Sequence, residues 1–268
     1  MNTIDPSHTT ASAIAIVTGA SSGLGKEYAR FLYENYELDE IWLVARRRER
    51  LEALANELSI RTRLFPLDLT DPASICELSD ALKLEHPVIR FLINAAGFGK
   101  MGSYQDVPLK ELDHMLLVNC KAMMDITQIS LPYTEKGSRI LEISSVASFQ
   151  PLPGFNVYAA SKAFVTSYSR SLRWELFPRG VKITSVCPYW VRDTEFIATT
   201  RTGTDAPQAI RNFALSTTTK KVVKWSMVQS KLGFAVSTPG IVSTLYRFGA
   251  KFVPHEIAIA IWQGLRRL

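Results

Sequence analysis

Ile14-Ala15-Ile16-Val17 runs directly into Thr18-Gly19-Ala20-Ser21-Ser22-Gly23-Leu24-Gly25, and an amphipathic stretch from Gly25 to Tyr36 follows. A short apolar run, a glycine-rich turn and a helical period make one strand–turn–helix unit. In such a unit the backbone N–H groups of the turn converge on one point. The positive end of the helix dipole adds to their field. A pyrophosphate suits that point. The glycines are spaced G-x-x-x-G-x-G rather than the commoner G-x-G-x-x-G, and a tight turn that binds nothing is the competing reading.

The same alternation continues outward. Ile41–Val44, Arg63–Leu67, Phe91–Ile93, Ile140–Ile143 and Val181–Val186 read as strands, each apolar enough to be covered on both faces. Gly233–Ser237 is a candidate seventh. Helical patterns lie between them. One spans Arg48 to Leu58. Another opens with Asp71 as cap and Pro72 in the first turn. A third runs from Val157 to Phe177, with Phe164, Tyr168, Leu172 and Leu176 on one face. Strict alternation predicts an α/β fold: a Rossmann-type, doubly wound parallel sheet of about seven strands with helices on both faces. No linker or repeat divides the chain, so residues 1–268 read as a single domain. Periodicity lapses from Tyr189 to about Thr219, which predicts a lid over a site at about 189–219. Residues 220–268 read as an apolar, aromatic-rich C-terminal cap or oligomer contact. A membrane-surface or partner-binding helix is the alternative there.

Composition narrows the classes. Hydrophobic residues make up 47 % of the 268, enough for a sizeable core, and charged residues 21 %, as in ordinary soluble proteins. The net charge of +6 is spread out except at Arg46-Arg47-Arg48, which argues against nucleic acid as partner. Cys76, Cys120 and Cys187 lie far apart, so a disulfide framework is not expected and a reducing compartment fits. His8, His86, His114 and His255 show no zinc-ligand spacing, and no metal is expected. Met1 to Pro6 reads as a short polar arm. No run approaches the ~20 apolar residues of a membrane span, so a cytoplasmic location is expected.

Ligands of open α/β sheets bind outside the carboxyl ends of the strands. There the second strand ends in Ala45, Arg46 and Arg47. A carboxylate at that place would bond ribose hydroxyls; guanidinium groups instead suit a 2′-phosphate, which points to NADP(H). Asp68 and Asn94-Ala95-Ala96-Gly97 end the third and fourth strands on the same edge. Ser144 and Ser145 end the fifth, where a hydroxyl can donate to a developing alkoxide. Tyr158 and Lys162 lie four apart and so share a helix face. At ~4 Å and an effective dielectric of ~20, the ammonium favours the phenolate by about 4 kcal/mol. At ~1.36 kcal/mol per tenfold, that draws the phenol from near ~10 toward neutrality, where a general acid/base works best. A surface Tyr–Lys pair is the plain alternative.

These motifs together resemble the short-chain dehydrogenase/reductase family: Thr18 to Gly25 (TGASSGLG), Asp68, Asn94 to Gly97 (NAAG), Asn119, Ser145, and Tyr158 to Lys162 (YAASK). The likeness covers about residues 13 to 190. It implies Asn119, Ser145, Tyr158 and Lys162 as the catalytic set. Tyr158 would pass a proton to and from the carbonyl oxygen. Lys162 would hold the nicotinamide ribose, and Asn119 would position a water that relays protons to Lys162. It further implies that Gly19, Ser21, Ser22, Gly23, Leu24 and Gly25 hold the cofactor, with Arg46, Arg47, Asp68, Asn94, Ala95, Gly97 and Pro188. A homodimer or homotetramer, often formed through the helix beginning near Val157, is usual in the family. One departure stands out. Where the family has Pro-Gly and then a threonine, this chain has Pro188-Tyr189-Trp190-Val191-Arg192-Asp193-Thr194, with Val191 and Thr194 as candidate nicotinamide contacts. Glu142, in an otherwise apolar strand, fits no reading of the pattern.

Phe149, Leu152 and Phe155, with Tyr189, Trp190 and the apolar tail that includes Tyr246 and Trp262, predict a roomy apolar substrate pocket beside Ser145. The expected reaction is interconversion of a secondary alcohol and a ketone on a hydrophobic substrate such as a steroid, bile acid or long-chain keto compound. The pattern is most similar to the branch of hydroxysteroid dehydrogenases and 3-ketoacyl reductases. The competing function is a catalytically silent NADP(H)-binding sensor or scaffold.

Overall fold

The computed structural model describes residues 11–200 and 215–267. Seven parallel strands form one sheet: β1 (Ala13–Thr18), β2 (Glu40–Val44), β3 (Arg61–Phe65), β4 (Val88–Asn94), β5 (Arg139–Ile143), β6 (Lys182–Val186) and β7 (Val236–Ser237), in the order β3-β2-β1-β4-β5-β6-β7. The order reverses between β1 and β4. A crevice therefore opens at the carboxyl end of β1, where the glycine turn lies. Helices α1 (Gly23–Asn35), α2 (Arg48–Glu57), α3 (Pro72–Glu85), α4 (Leu109–Leu116), α5 (Met123–Ser130) and α6 (Asn156–Glu175) cover the sheet. Further along come α7 (Phe196–Thr200), α8 (Thr219–Lys231), α9 (Ile241–Phe252) and α10 (His255–Arg267).

Side-chain alternation along the strands divides the core in two. Ala15, Val17, Leu43 and Ile93 face α1 and α8 with Leu32 and Met227, all buried. Ile14, Ile16, Leu92 and Ile140 face the other way, toward Leu78, Ile126 and Leu172. Asp71 caps α3 as the sequence indicates, accepting from Ala73 N (2.9 Å).

Two expectations need correction. The third strand is Arg61–Phe65 rather than Arg63–Leu67, and it is not covered on both faces: Arg61 is exposed and the next three residues only half-buried. It is the sheet edge, and Pro66 has no N–H to extend the ladder. On α6 the apolar face divides. Leu172 and Leu176 enter the core, whereas Phe164 is 40 % exposed and stacks on Tyr168. The excursion beginning at Tyr189 is closed by a backbone bridge between Val191 and Thr217, and α7 lies in it. Its residues 201–214 lie outside the described residues. The C-terminal cap is packed on one side only. Val222, Val223 and Met227 of α8 are buried, but Ile241, Leu245, Phe248 and Phe252 form an exposed face of α9. Among the described residues, no helix is long and apolar enough to cross a membrane.

Candidate active site

A cleft of about 900 Å³ runs along the carboxyl edge of the sheet, from Arg46 and Arg47 at one end to Trp190 and Trp262 at the other. Its floor is the glycine turn. Gly19 has φ +67°, and a Cβ there would stand 2.8 Å from Ala95 O and Ala96 N. The hydroxyl of Thr18 accepts from Ala96 N–H (3.1 Å), which draws the loop after β4 across that glycine. Ser22 caps α1 without turning its hydroxyl onto the helix. The first-turn N–H groups are thus left to the cleft. Such a floor fits the pyrophosphate of a dinucleotide, since only bare backbone and short hydroxyls meet it.

Arg47 donates to Ser21 Oγ (3.0 Å) and Ser22 Oγ (2.9 Å) and pairs with Glu195 (2.9 Å). Arg50 pairs with the same carboxylate. The two guanidinium groups lower the Glu195 carboxyl from its ordinary value, chiefly through hydrogen bonds from Arg50 and then Arg47. They already bind one anion beside the glycine turn. Asp68 opposes Arg46 across the rim. Burial alone would raise its carboxyl, but the Thr70 N–H, the Thr70 hydroxyl and the Arg46 charge together bring it down.

At the middle of the cleft stand Ser145, Tyr158 and Lys162. Ser145 caps the short turn Val146–Phe149, accepting from Ala147 N (3.1 Å), and its side chain is hydrogen-bonded to Tyr158. Ser144 is committed elsewhere, to Lys162 O (2.9 Å) and Thr166 Oγ1 (2.8 Å). Lys162 donates to Ile143 O (2.8 Å), and its Nζ lies 5.7 Å from the Tyr158 ring centre. Tyr158 itself is sandwiched between Phe155, stacked at 4.2 Å, and Phe196 at 5.5 Å.

This geometry reverses one expectation. Burial pushes the Tyr158 phenol up from its ordinary value, although the Ser145 hydrogen bond pulls the other way. The ammonium is engaged with a backbone carbonyl, that of Ile143. Burial also lowers Lys162, to about 8. Desolvation therefore outweighs the charge pair.

Most of the remaining candidates line the cleft: Ala95, Gly97, Pro188, Val191 and Thr194 on the cofactor side, Leu152 and Tyr189 on the apolar side. Thr194 donates to Val191 O (2.9 Å). Four do not. Asn94 points into the core, donating to Thr127 Oγ1 (2.9 Å) and Glu142 Oε1 (3.1 Å). Gly25 meets no cleft. A Cβ there would lie 2.4 Å from Gly19 O, so it serves the packing of α1 on the turn. Phe149 ends its turn outside the lining. Asn119 lies one layer below. It sits in a π-helical segment, Leu117–Ala122, where the wider turn lets its side chain bond Phe98 N, Phe98 O and Ser161 Oγ.

The apolar end also holds Tyr246 and Trp262 of the apolar tail, and three residues that the sequence reading does not reach: Phe98, Gln150 and Phe196. Trp262 Nε1 donates to Pro153 O (3.0 Å), tying α10 to the Ser145–Tyr158 segment. No spacing rule connects residues this far apart.

A seven-stranded parallel sheet with its ligand crevice at the switch point defines the Rossmann-type class. Comparison with known proteins narrows this. The family model described as short chain dehydrogenase matches residues 13–205, and the chain belongs to that family of oxidoreductases. Among relatives, it is 38 % identical over 201 residues to sulfoacetaldehyde reductase 2 of Chromohalobacter salexigens, covering 72 % of this chain and 78 % of that one. Among solved structures, it is similar to a short-chain dehydrogenase from Sphingobium yanoikuyae in complex with NADPH. That match has 26 % identity, TM-score 0.73 and 94 % coverage of both chains. A family member from Burkholderia phymatum in complex with NAD matches in fold at 21 % identity, TM-score 0.72, covering 88 % of this chain and 92 % of that one.

Proposed function

We propose that this chain is an NADP(H)-dependent ketone reductase for hydrophobic substrates, with Tyr158 as the proton donor. The observation that carries the reading is the juxtaposition of Ser145, Tyr158 and Lys162 midway between a phosphate-sized floor and an aromatic recess. A bound nicotinamide would supply the hydrogen and electron pair that the carbonyl carbon takes up. The chain's residues supply the rest. Gly19, Gly23 and Leu24 hold the pyrophosphate end with the first turn of α1. Lys162 holds the ribose beside Tyr158. Ser145 donates to the carbonyl oxygen, and Tyr158 delivers the proton that completes the alcohol. A phenol kept protonated by burial is in the state that proton delivery to a carbonyl oxygen requires. Asn119, bonded to Ser161 on the helix that carries Tyr158, fixes the distance between α6 and the loop after β4.

Arg46 and Arg47 favour NADPH over NADH. Arg47 already grips an anion with two serine hydroxyls at its back, a seat that fits a 2′-phosphate. Replacing both arginines by alanine is expected to weaken NADPH about 10²-fold, since charge-assisted hydrogen bonds are worth ~1.5–3 kcal/mol each, and to leave NADH within a few-fold. Fluorescence titration with both cofactors checks it; equal losses for the two would overturn the phosphate assignment.

Phe155, Trp190, Phe196 and Trp262 make the recess apolar, which supports a steroid, bile acid or long-chain keto compound over a small polar carbonyl. Phe164 on α6 offers exposed apolar surface for a homodimer or homotetramer. A screen of ketones with NADPH tests the substrate class: turnover confined to small polar carbonyls would defeat it. Binding of NADPH without turnover of any would favour a silent cofactor sensor.

A further inference from the structure

Glu142 is fully buried in the middle of the sheet, paired in register with Asn94 of β4 and Ser185 of β6. Its surroundings can be counted proton by proton. Thr127 Oγ1 lies 2.8 Å from Met123 O and 2.8 Å from Glu142 Oε1, and it accepts from Asn94 Nδ2 (2.9 Å). A carbonyl accepts only, and so does an ionised carboxylate. The threonine hydroxyl has one proton for two such contacts. With Glu142 ionised, one contact has none. A proton on the carboxyl supplies it: Glu142 donates to Thr127, and Thr127 donates to Met123 O. Two further buried atoms, Glu142 Oε2 and Asn94 Oδ1, find no partner among the described residues, so no donor there meets the second carboxyl oxygen.

The charged and titratable groups that face Glu142 are Lys162 and Tyr168, both from α6. β4 presents Asn94, β6 presents Ser185 and α5 presents Thr127, none of which ionises at neutral pH. Lys162 is the group that meets the cleft.

We propose that Glu142 is held as a neutral carboxylic acid beneath the site and acts as a positioning residue, locking Asn94 and Thr127 while leaving the Lys162 charge uncompensated. If the proton leaves, the hydrogen-bond lattice under the loop Asn94–Gly97 opens. A negative charge then faces Lys162 and reduces the positive field at Tyr158. The direction of titration agrees: burial raises the carboxyl from 4.5 to about 7, against weaker lowering by Thr127, Asn94 and Lys162. Because the folded value is the higher one, the contribution of Glu142 to stability is complete below 4.5 and is lost as pH rises toward about 7.

Glu142→Gln keeps the donor and acceptor of the neutral acid and cannot ionise. In infrared difference spectra of wild type minus this variant, a protonated-carboxyl C=O band is expected below about pH 7 and is expected to fade above it. The variant's turnover at low pH should stay within about twofold of wild type, without the wild-type inflection near neutrality. A variant profile that superimposes on wild type across pH would overturn the coupling, and a wild-type carboxyl ionised throughout would overturn the proton. If the variant does not fold, titration of the wild-type band decides alone. The infrared arm stands without the proposed reaction. Only the rate arm rests on it, so a chain with the band but no carbonyl turnover would sink the reaction and keep the acid.

Discussion

Tyr158→Phe lowers ketone reduction about 10³–10⁴-fold and leaves NADPH affinity within about twofold. The range is at the upper end of what a positioned general acid contributes. The substitution removes one oxygen and little else. The ring keeps its stack on Phe155 at 4.2 Å and its contact with Phe196 at 5.5 Å, and Lys162 keeps its bond to Ile143 O. What goes is the cleft phenol hydrogen-bonded to Ser145. Ser145 can still donate to the carbonyl oxygen, so some stabilisation survives, but no acid remains to complete the alcohol. Steady-state rates with a cofactor titration in parallel measure both halves. Turnover near wild type would remove Tyr158 from its role. Loss of binding together with rate would make it a structural residue instead.

Gly25→Ala acts on the other end of the cleft and strikes both binding and stability. The new Cβ would lie 2.4 Å from Gly19 O, 2.6 Å from Gly19 C and 2.9 Å from Thr18 O. All three are backbone atoms of the turn, so no side chain can swing aside. Either α1 moves off β1 or the turn opens. Overpacking of this kind costs about 1–3 kcal/mol, roughly 2–4 °C of melting temperature per kcal/mol in a chain of this size. A shift of the phosphate floor by ~1 Å is enough for about 10²-fold in affinity or rate. Gly264→Ala is the control: nothing lies within 4 Å of that Cβ, and alanine is the better helix former. Melting curves and NADPH titrations of the two variants should diverge. Equal behaviour would mean that the turn tolerates a displaced helix.

The parts of the site legible in the sequence are those set by chain-local geometry. A glycine turn after an apolar run declares a phosphate floor because strand, turn and helix must follow in that order. Tyr158 and Lys162 share a face because the helix repeat places them there. Ser145 is found by ending a strand on the same edge. Long-range packing hides the rest. β3 reads as a covered strand, and only its edge position explains why Arg63 lies over the Trp42 and Phe65 rings rather than under a helix. Phe196 and Trp262 reach the cleft from elements with no sequence relation to Tyr158. Asn94 sits in the NAAG motif yet turns inward, because the pleat points it at Thr127 and Glu142. The acidity of Tyr158 needs two quantities that spacing lacks, its burial and the direction of the Lys162 ammonium. Glu142, without explanation in a linear pattern, becomes intelligible once its neighbours across the sheet are known.

The redox assignment is tested most directly by isotope transfer. The wild-type chain is incubated with NADPH deuterated at the transferable nicotinamide position and a hydrophobic ketone, and the product is read by mass spectrometry. One deuterium on the carbinol carbon is expected, with the label absent when Tyr158→Phe is used under the same conditions. A bound, undepleted cofactor with no labelled alcohol from any ketone, or alcohol formed without the label, would contradict it.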